Sequence, residues 1–103
     1  MAKLEGSYKT DLSKRIEDLF PGCIVLKNDE QLRQGIPDLT VLYGKCYALL
    51  EVKRSAKEML KPRPNQAYYL AEVAGMGGFS SYIYPEIEEE VLDALQRAFE
   101  ANW

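Results

Sequence analysis

Apolar residues recur along this chain at two different spacings, and the switch between them predicts its elements. Tyr8, Leu12, Ile16 and Leu19 fall at helical intervals, so residues 3–20 read as a helix that Pro21-Gly22 stops. Residues 23–26 form a short apolar run, read as a strand, and the polar residues 27–35 read as a loop. Two further strands follow at 39–43 and 46–53, joined by Gly44-Lys45, a two-residue hairpin loop whose leading glycine suits a type II′ turn. Residues 55–63 are charged and bounded by Pro62 and Pro64, which predicts an exposed loop. Residues 65–76 read as a helix with Tyr69, Val73 and Met76 on its apolar face, ended by Gly75, Gly77 and Gly78. Residues 79–84 read as a strand. Pro85 then stands where a helix accepts proline, ahead of a glutamate-rich first turn, and the helix runs to about residue 98 with Val91, Leu92, Leu95 and Phe99 as its stripe. The order is α-β-β-β-α-β-α, an α/β chain with a central mixed sheet flanked by helices.

The hairpin carries the chemistry. Its register makes Tyr43 face Cys46, Val41 face Ala48 and Asp38 face Glu51. Side chains directly opposite on antiparallel strands have Cβ atoms roughly 4.5–5.5 Å apart. Lys53 lies two residues beyond Glu51 and shares its face. Two carboxylates that close repel unless a proton or a cation lies between them. Oxygen ligands with an open side suit Mg²⁺ or Mn²⁺. A lone Glu-x-Lys on a strand is ordinarily a solvated pair. Here Ala48, Leu49, Leu50 and Val52 make a near-continuous apolar run around Glu51, the pattern of a strand covered on both faces. Charges are rarely buried there unless paired or metal-bound.

Composition narrows the chemistry further. The 103 residues, 47% of them apolar, suffice for one domain over 1–103 and leave no room for a second. There is no histidine, which excludes Ser-His-Asp and Cys-His catalysis and any histidine general base. Cys23 and Cys46 lie in apolar runs, as expected of small core residues in a reducing cytosol. No stretch has the length of a membrane span or the apolar core of a signal peptide, so a membrane partner is not expected. The net charge of −3 looks wrong for a nucleic-acid-binding chain, but its distribution matters more, and the basic segment reads equally as a DNA contact or a solvated loop. Residues 45–63 carry six basic and two acidic side chains, and residues 86–103 carry one basic and six acidic. The basic stretch directly follows the paired carboxylates.

At these residues the chain resembles a known group of nucleases. Asp38 after Pro37, with Glu51-Val52-Lys53, resembles the PD-(D/E)xK signature. Gln34-Gly35-Ile36-Pro37-Asp38-Leu39, then Leu50-Glu51-Val52-Lys53, then Pro64-Asn65-Gln66, resembles the VRR-NUC branch of that superfamily. The Glu5-Gly6-Ser7-Tyr8 opening and the Pro21-Gly22-Cys23 and Lys27-Asn28-Asp29 segments are similar to small phage endonucleases of the same branch.

The resemblance implies a restriction-endonuclease-like fold and a metal-dependent DNA endonuclease. It implies that Asp38 and Glu51 hold Mg²⁺ or Mn²⁺, helped by the backbone carbonyl of Val52 and by Glu5 of the first helix. Glu17 and Glu30 compete with Glu5 for that last role. Lys53 would orient water or offset charge on the phosphate, and Gln66 would stand at the catalytic site. Lys27, Arg54, Lys57, Lys61 and Arg63 are candidate DNA contacts, with Lys9, Lys14 and Arg15 as a second set. Tyr68 and Tyr69 could stack on bases, although neighbours on a helix cannot both face one surface, so one is expected in the core. A homodimer acting on branched DNA, such as a Holliday junction, is the expected assembly. A flap or single-strand nuclease, or a non-catalytic DNA-binding module of the same fold, is the alternative.

Overall fold

A hairpin forms where the register requires it. In a computed structural model of the chain, strand β2 (Leu39–Tyr43) pairs antiparallel with β3 (Cys46–Val52), with Leu39 against Leu50, Val41 against Ala48 and Tyr43 against Cys46. Gly44 turns with φ +59° and Lys45 does not have positive φ, which fits a type II′ loop and excludes type I′. The structure describes residues 5–102 except 62 and 64, and for residue 5 the backbone only; Pro62, Pro64 and the Glu5 side chain therefore lie outside the described residues.

Strand β1 (Ile24–Lys27) adds antiparallel to the free edge of β2, and β4 (Phe79–Ile83) adds parallel to β3, giving the order β1-β2-β3-β4. The parallel pair is reached through a crossover helix, α2 (Gln66–Gly75), as parallel strands require. Alternation along the strands then divides the sheet. Leu39, Val41, Ala48, Leu50, Val52 and Ile83 turn one way and are fully buried with Leu12 and Ile16 of α1 (Glu5–Leu19) and Leu92 and Leu95 of α3 (Glu88–Ala101). Each leucine, isoleucine and valine among them contributes roughly 1.5–3 kcal/mol by leaving water. Phe20, Tyr43 and Phe99 close the hairpin end of this core with ring centroids 5.1–5.8 Å apart. A polar clasp joins α1 to α3: the Tyr8 hydroxyl donates to Glu88 (2.7 Å), and Arg15 pairs with Glu88 and Glu89. Burial and the Glu88 carboxylate both push the Tyr8 hydroxyl's pKa up.

The other face carries Asp38, Leu49, Glu51 and Lys53, and α2 covers its β3–β4 half; the Ser80 hydroxyl donates to the Leu70 carbonyl there at 2.5 Å. Here expectation and structure part. The buried positions of α2 are Gln66, Leu70 and Val73, while Met76 and Tyr68 are exposed and Tyr69 is half-buried. The helix is rotated so that a polar residue, Gln66, heads its inner stripe, and neither tyrosine is core. Two 3₁₀ turns also depart from the expected elements. Ala56–Leu60 interrupts what reads as loop, and Pro85–Ile87 precedes α3, which starts later than Pro85 suggests and ends beyond the expected residue 98.

Candidate active site

Asp38, Glu51, Lys53 and Gln66 meet at the carboxyl end of the parallel β3–β4 pair, where open α/β sheets place their ligand sites. All four are buried. Asp38 stands one residue before β2, where its Oδ2 accepts the Val52 N–H at 2.9 Å and its Oδ1 accepts from the Lys9 ammonium at 2.9 Å. Val52 thus turns its N–H toward Asp38. A strand residue's carbonyl leaves on the same side as its N–H, so the Val52 carbonyl also faces the Asp38 side. The next residue faces the opposite neighbour, with the Lys53 N–H donating to the Ile83 carbonyl of β4 at 2.9 Å.

Glu51 and Lys53 project together from β3, and Gln66 joins them. The Gln66 amide donates to Glu51 Oε2 at 2.6 Å, and its carbonyl oxygen accepts from Lys53 Nζ at 2.9 Å. Lys53 Nζ stands 3.5 Å from the same Glu51 oxygen. Gln66 can fill this place because Asn65 precedes it with φ +70°, a left-handed conformation that asparagine tolerates better than most residues. The chain reverses there and the first residue of α2 points into the sheet.

One atom in this arrangement has no partner. Glu51 Oε1 is buried and receives no donor. Burial first, and then the Asp38 carboxylate beside it, push the Glu51 carboxyl up to about 8, against the lowering influence of Lys53. Carboxylates so placed need a shared proton or a cation. Hard oxygen donors from Asp38 and Glu51, an unsatisfied oxygen and an adjacent backbone carbonyl fit a divalent ion such as Mg²⁺ or Mn²⁺. Among the described residues no third acid joins them in a metal-binding cluster. Glu5 begins α1, and the role expected of its side chain lies outside the described residues. Of its two competitors, Glu30 is half-buried and near enough that its charge raises Glu51, whereas Glu17 is exposed and acts instead on the Cys23 thiol.

The basic residues lie outside this centre. Lys57, Lys61 and Arg63 are exposed, and Arg63 stands 3.8 Å from Glu30. Arg54 is drawn into its own loop, gripping Glu58 through Nε (3.1 Å) and Nη2 (2.9 Å) while its N–H donates to the same carboxylate. Its charge is therefore largely neutralised. Lys27 is exposed at the end of β1 and donates to the Thr10 hydroxyl at 3.4 Å. Arg15, from the second set, is engaged by Glu88 and Glu89. Two neighbours of the site are not evident from the sequence: Lys9, on Asp38, and Tyr82, paired with Glu51 across β3–β4 and raised in pKa by burial and by the Glu51 charge. Lys9 lies one helical turn after Glu5, so an acid and a base on one stripe of α1 are the available signal.

No protein-family model matches this chain, and no curated protein does. Among solved structures, a chain described as a VRR_NUC domain is similar over 89% of this chain and 94% of its own length, with 26% identity and a TM-score of 0.66.

Proposed function

The chain has a VRR-NUC fold, and we propose that it is a metal-dependent DNA endonuclease hydrolysing phosphodiester bonds. The observation that carries this reading is the buried, donorless Glu51 Oε1 beside Asp38, in a site that offers oxygen ligands and a fixed lysine. Asp38 and Glu51 would hold Mg²⁺ or Mn²⁺, with the Val52 carbonyl beside them and Glu5 as the further acid. Such an ion supplies a Lewis acid that withdraws charge from the scissile phosphate and acidifies water for attack.

The chain's own residues do the rest. Glu51 must lose its proton to act as a ligand, and Lys53, 3.5 Å away, favours that ionised form. The Gln66 carbonyl oxygen accepts one hydrogen bond from the Lys53 ammonium. An ammonium has three donors, so Lys53 keeps donors for phosphate oxygens or an attacking water, and its positive charge opposes the negative charge that builds on the phosphate. Gln66 also donates to Glu51, so both groups are held before substrate arrives. Preorganised charge of this kind costs no rearrangement during the reaction. The exposed Lys57, Lys61 and Arg63 supply sequence-independent phosphate contacts, with smaller contributions from Lys27 and Arg54.

We place the substrate among branched DNAs and the working unit as a homodimer. The outer edge of the sheet supports a dimer: β1 presents Ile24 and Leu26 to solvent, and Leu42 is exposed beside Ile24. A two-fold pair offers two sites to symmetric strands. The test is cleavage of linear duplex, single-strand, flap and four-way-junction DNA with Mg²⁺ or Mn²⁺, using wild type and Asp38→Asn. Metal-dependent cutting of the junction, lost in Asp38→Asn, is the expected result. Cutting that survives in Asp38→Asn, or no metal-dependent cutting of any DNA, would overturn the proposal.

A further inference from the structure

The two lysines of the site differ in burial. Lys53 is buried and fixed from two sides, by Gln66 and by Glu51. The Lys9 side chain is 23% exposed and reaches Asp38 from α1, a different element from the strands that build the site. Its ammonium sits on Asp38 Oδ1, while Oδ2 is committed to the Val52 N–H. Lys9 thus holds the Asp38 oxygen that the Val52 N–H does not, and a cation approaching Asp38 meets its ammonium.

We infer that Lys9 is an exchangeable counter-ion, occupying Asp38 until a divalent cation binds and then turning to a phosphate of the bound DNA. This rests on the nuclease reading of the same site. A divalent cation on Asp38 would stand close to the ammonium, and like charges repel strongly where water is sparse. Lysine suits such an exchange: a compact charge on a flexible four-carbon stem, with its exposed portion already at the rim. Lys53 could not serve, because leaving would strip both Gln66 and Glu51 of a partner. DNA brings phosphate oxygens that accept the displaced ammonium. Lys9 thus opposes metal in the free protein and loses that opposition once DNA is present. By linkage, metal then strengthens DNA binding by the same factor by which DNA strengthens metal binding.

The test is calorimetric titration of the free protein with Mn²⁺, comparing wild type with Lys9→Met and Lys9→Arg, each checked for native circular dichroism. Lys9→Met should bind Mn²⁺ roughly tenfold or more tightly, because one nearby positive charge is gone, and Lys9→Arg should stay close to wild type. Lys9→Gln takes the place of Lys9→Met if the latter does not fold. A second measurement follows binding of a short DNA duplex against salt, with Ca²⁺ or with EDTA. Removing the Lys9 charge should reduce the salt slope by about 0.9 with Ca²⁺ and leave it unchanged in EDTA. If wild type binds Mn²⁺ through Asp38 and Lys9→Met binds it no more tightly, the inference on Lys9 is overturned while the nuclease reading stands. An equal reduction of slope in EDTA would also overturn it. If wild type binds no Mn²⁺, or Asp38→Asn binds it equally well, the nuclease reading itself falls and the inference with it.

Discussion

Glu51→Gln should make the metal-free protein more stable, and increasingly so as pH rises. The folded-state carboxyl sits near 8, raised by burial and by Asp38, whereas an unfolded glutamate titrates near its ordinary 4.5. An acid whose folded pKa is raised binds its proton more tightly in the native state. Its contribution to stability is complete below the unfolded pKa and is lost as pH climbs through the folded one. At about 1.36 kcal/mol for each unit, the native state loses on the order of 3 kcal/mol between pH 5 and pH 8 through this one group. Glutamine does not titrate. It keeps an oxygen for the Gln66 amide, and its own amide can donate toward Asp38. The substitution should therefore change stability little at pH 5 and raise it by roughly 3 kcal/mol at pH 8, a melting shift of about 12–24 °C for a domain of this size. The assay is thermal and urea unfolding in EDTA at pH 5, 7 and 8 for both proteins. Mg²⁺ should then stabilise wild type at pH 8 and leave Glu51→Gln unchanged, since ligand binding to the native state alone adds stability. Parallel pH profiles for the two proteins from pH 5 to 8 would refute the reasoning, because Glu51 would then be neither desolvated nor repelled.

Three further outcomes test separate parts of the structure. Gln66→Ala leaves Glu51 Oε2 and Lys53 without their shared partner, so urea unfolding should show a loss of about 1–3 kcal/mol, and single-turnover cleavage should slow. Changing Lys57, Lys61 and Arg63 together to Gln should weaken DNA binding alike for all sequences and flatten its salt slope by about 0.9 for each phosphate no longer neutralised, with cleavage retained at saturating protein; an unchanged slope would move the DNA surface elsewhere. A Cβ at Gly78 would fall far inside van der Waals contact with the Tyr47 ring, so Gly78→Ala must displace a ring whose hydroxyl donates to the Met76 carbonyl at 2.8 Å. The expected destabilisation is about 1–3 kcal/mol by urea unfolding, with Mn²⁺ binding unaffected.

Much of the fold is legible in the residues because its strongest patterns are local. The two-residue turn at Gly44-Lys45 sets the β2–β3 register by counting, and that register, carried one residue beyond Leu39–Leu50, brings Asp38 opposite Glu51. The α3 stripe of Val91, Leu92, Leu95 and Phe99 is buried as its spacing predicts, since nothing competes with burial on that face. The inner face of α2 departs from its apolar spacing for a physical reason. Apolar periodicity assumes that the inward side is apolar throughout, and here its first inward residue must meet a buried carboxyl and an ammonium. Gln66 belongs to the buried stripe only because Glu51 and Lys53 lie beneath it, and that depends on a tertiary contact no window of neighbouring residues contains.

The same limit explains Lys9. A lysine on a helix reads as solvated surface, and its spacing from Glu5 gives only a weak i,i+4 signal. What changes its meaning is the arrival of Asp38 from a residue 29 positions later, at 2.9 Å, beside a second carboxylate that burial has already made reluctant to ionise. Charged groups in a dry site are read by their total, not singly. Where Asp38, Glu51, Lys9 and Lys53 meet, the two acids contribute two negative charges when ionised and the two lysines two positive ones, with Glu30 adding a more distant negative charge. A divalent cation adds two more unless a cation leaves or an anion enters. Lys53 is buried and held by Gln66, whereas Lys9 lies at the rim, and we therefore take Lys9 as the cation that leaves and a DNA phosphate as the anion that enters. With Lys9 as that counter-ion, metal and DNA binding would be coupled by charge balance through α1, in addition to any direct contact between the ion and the phosphate.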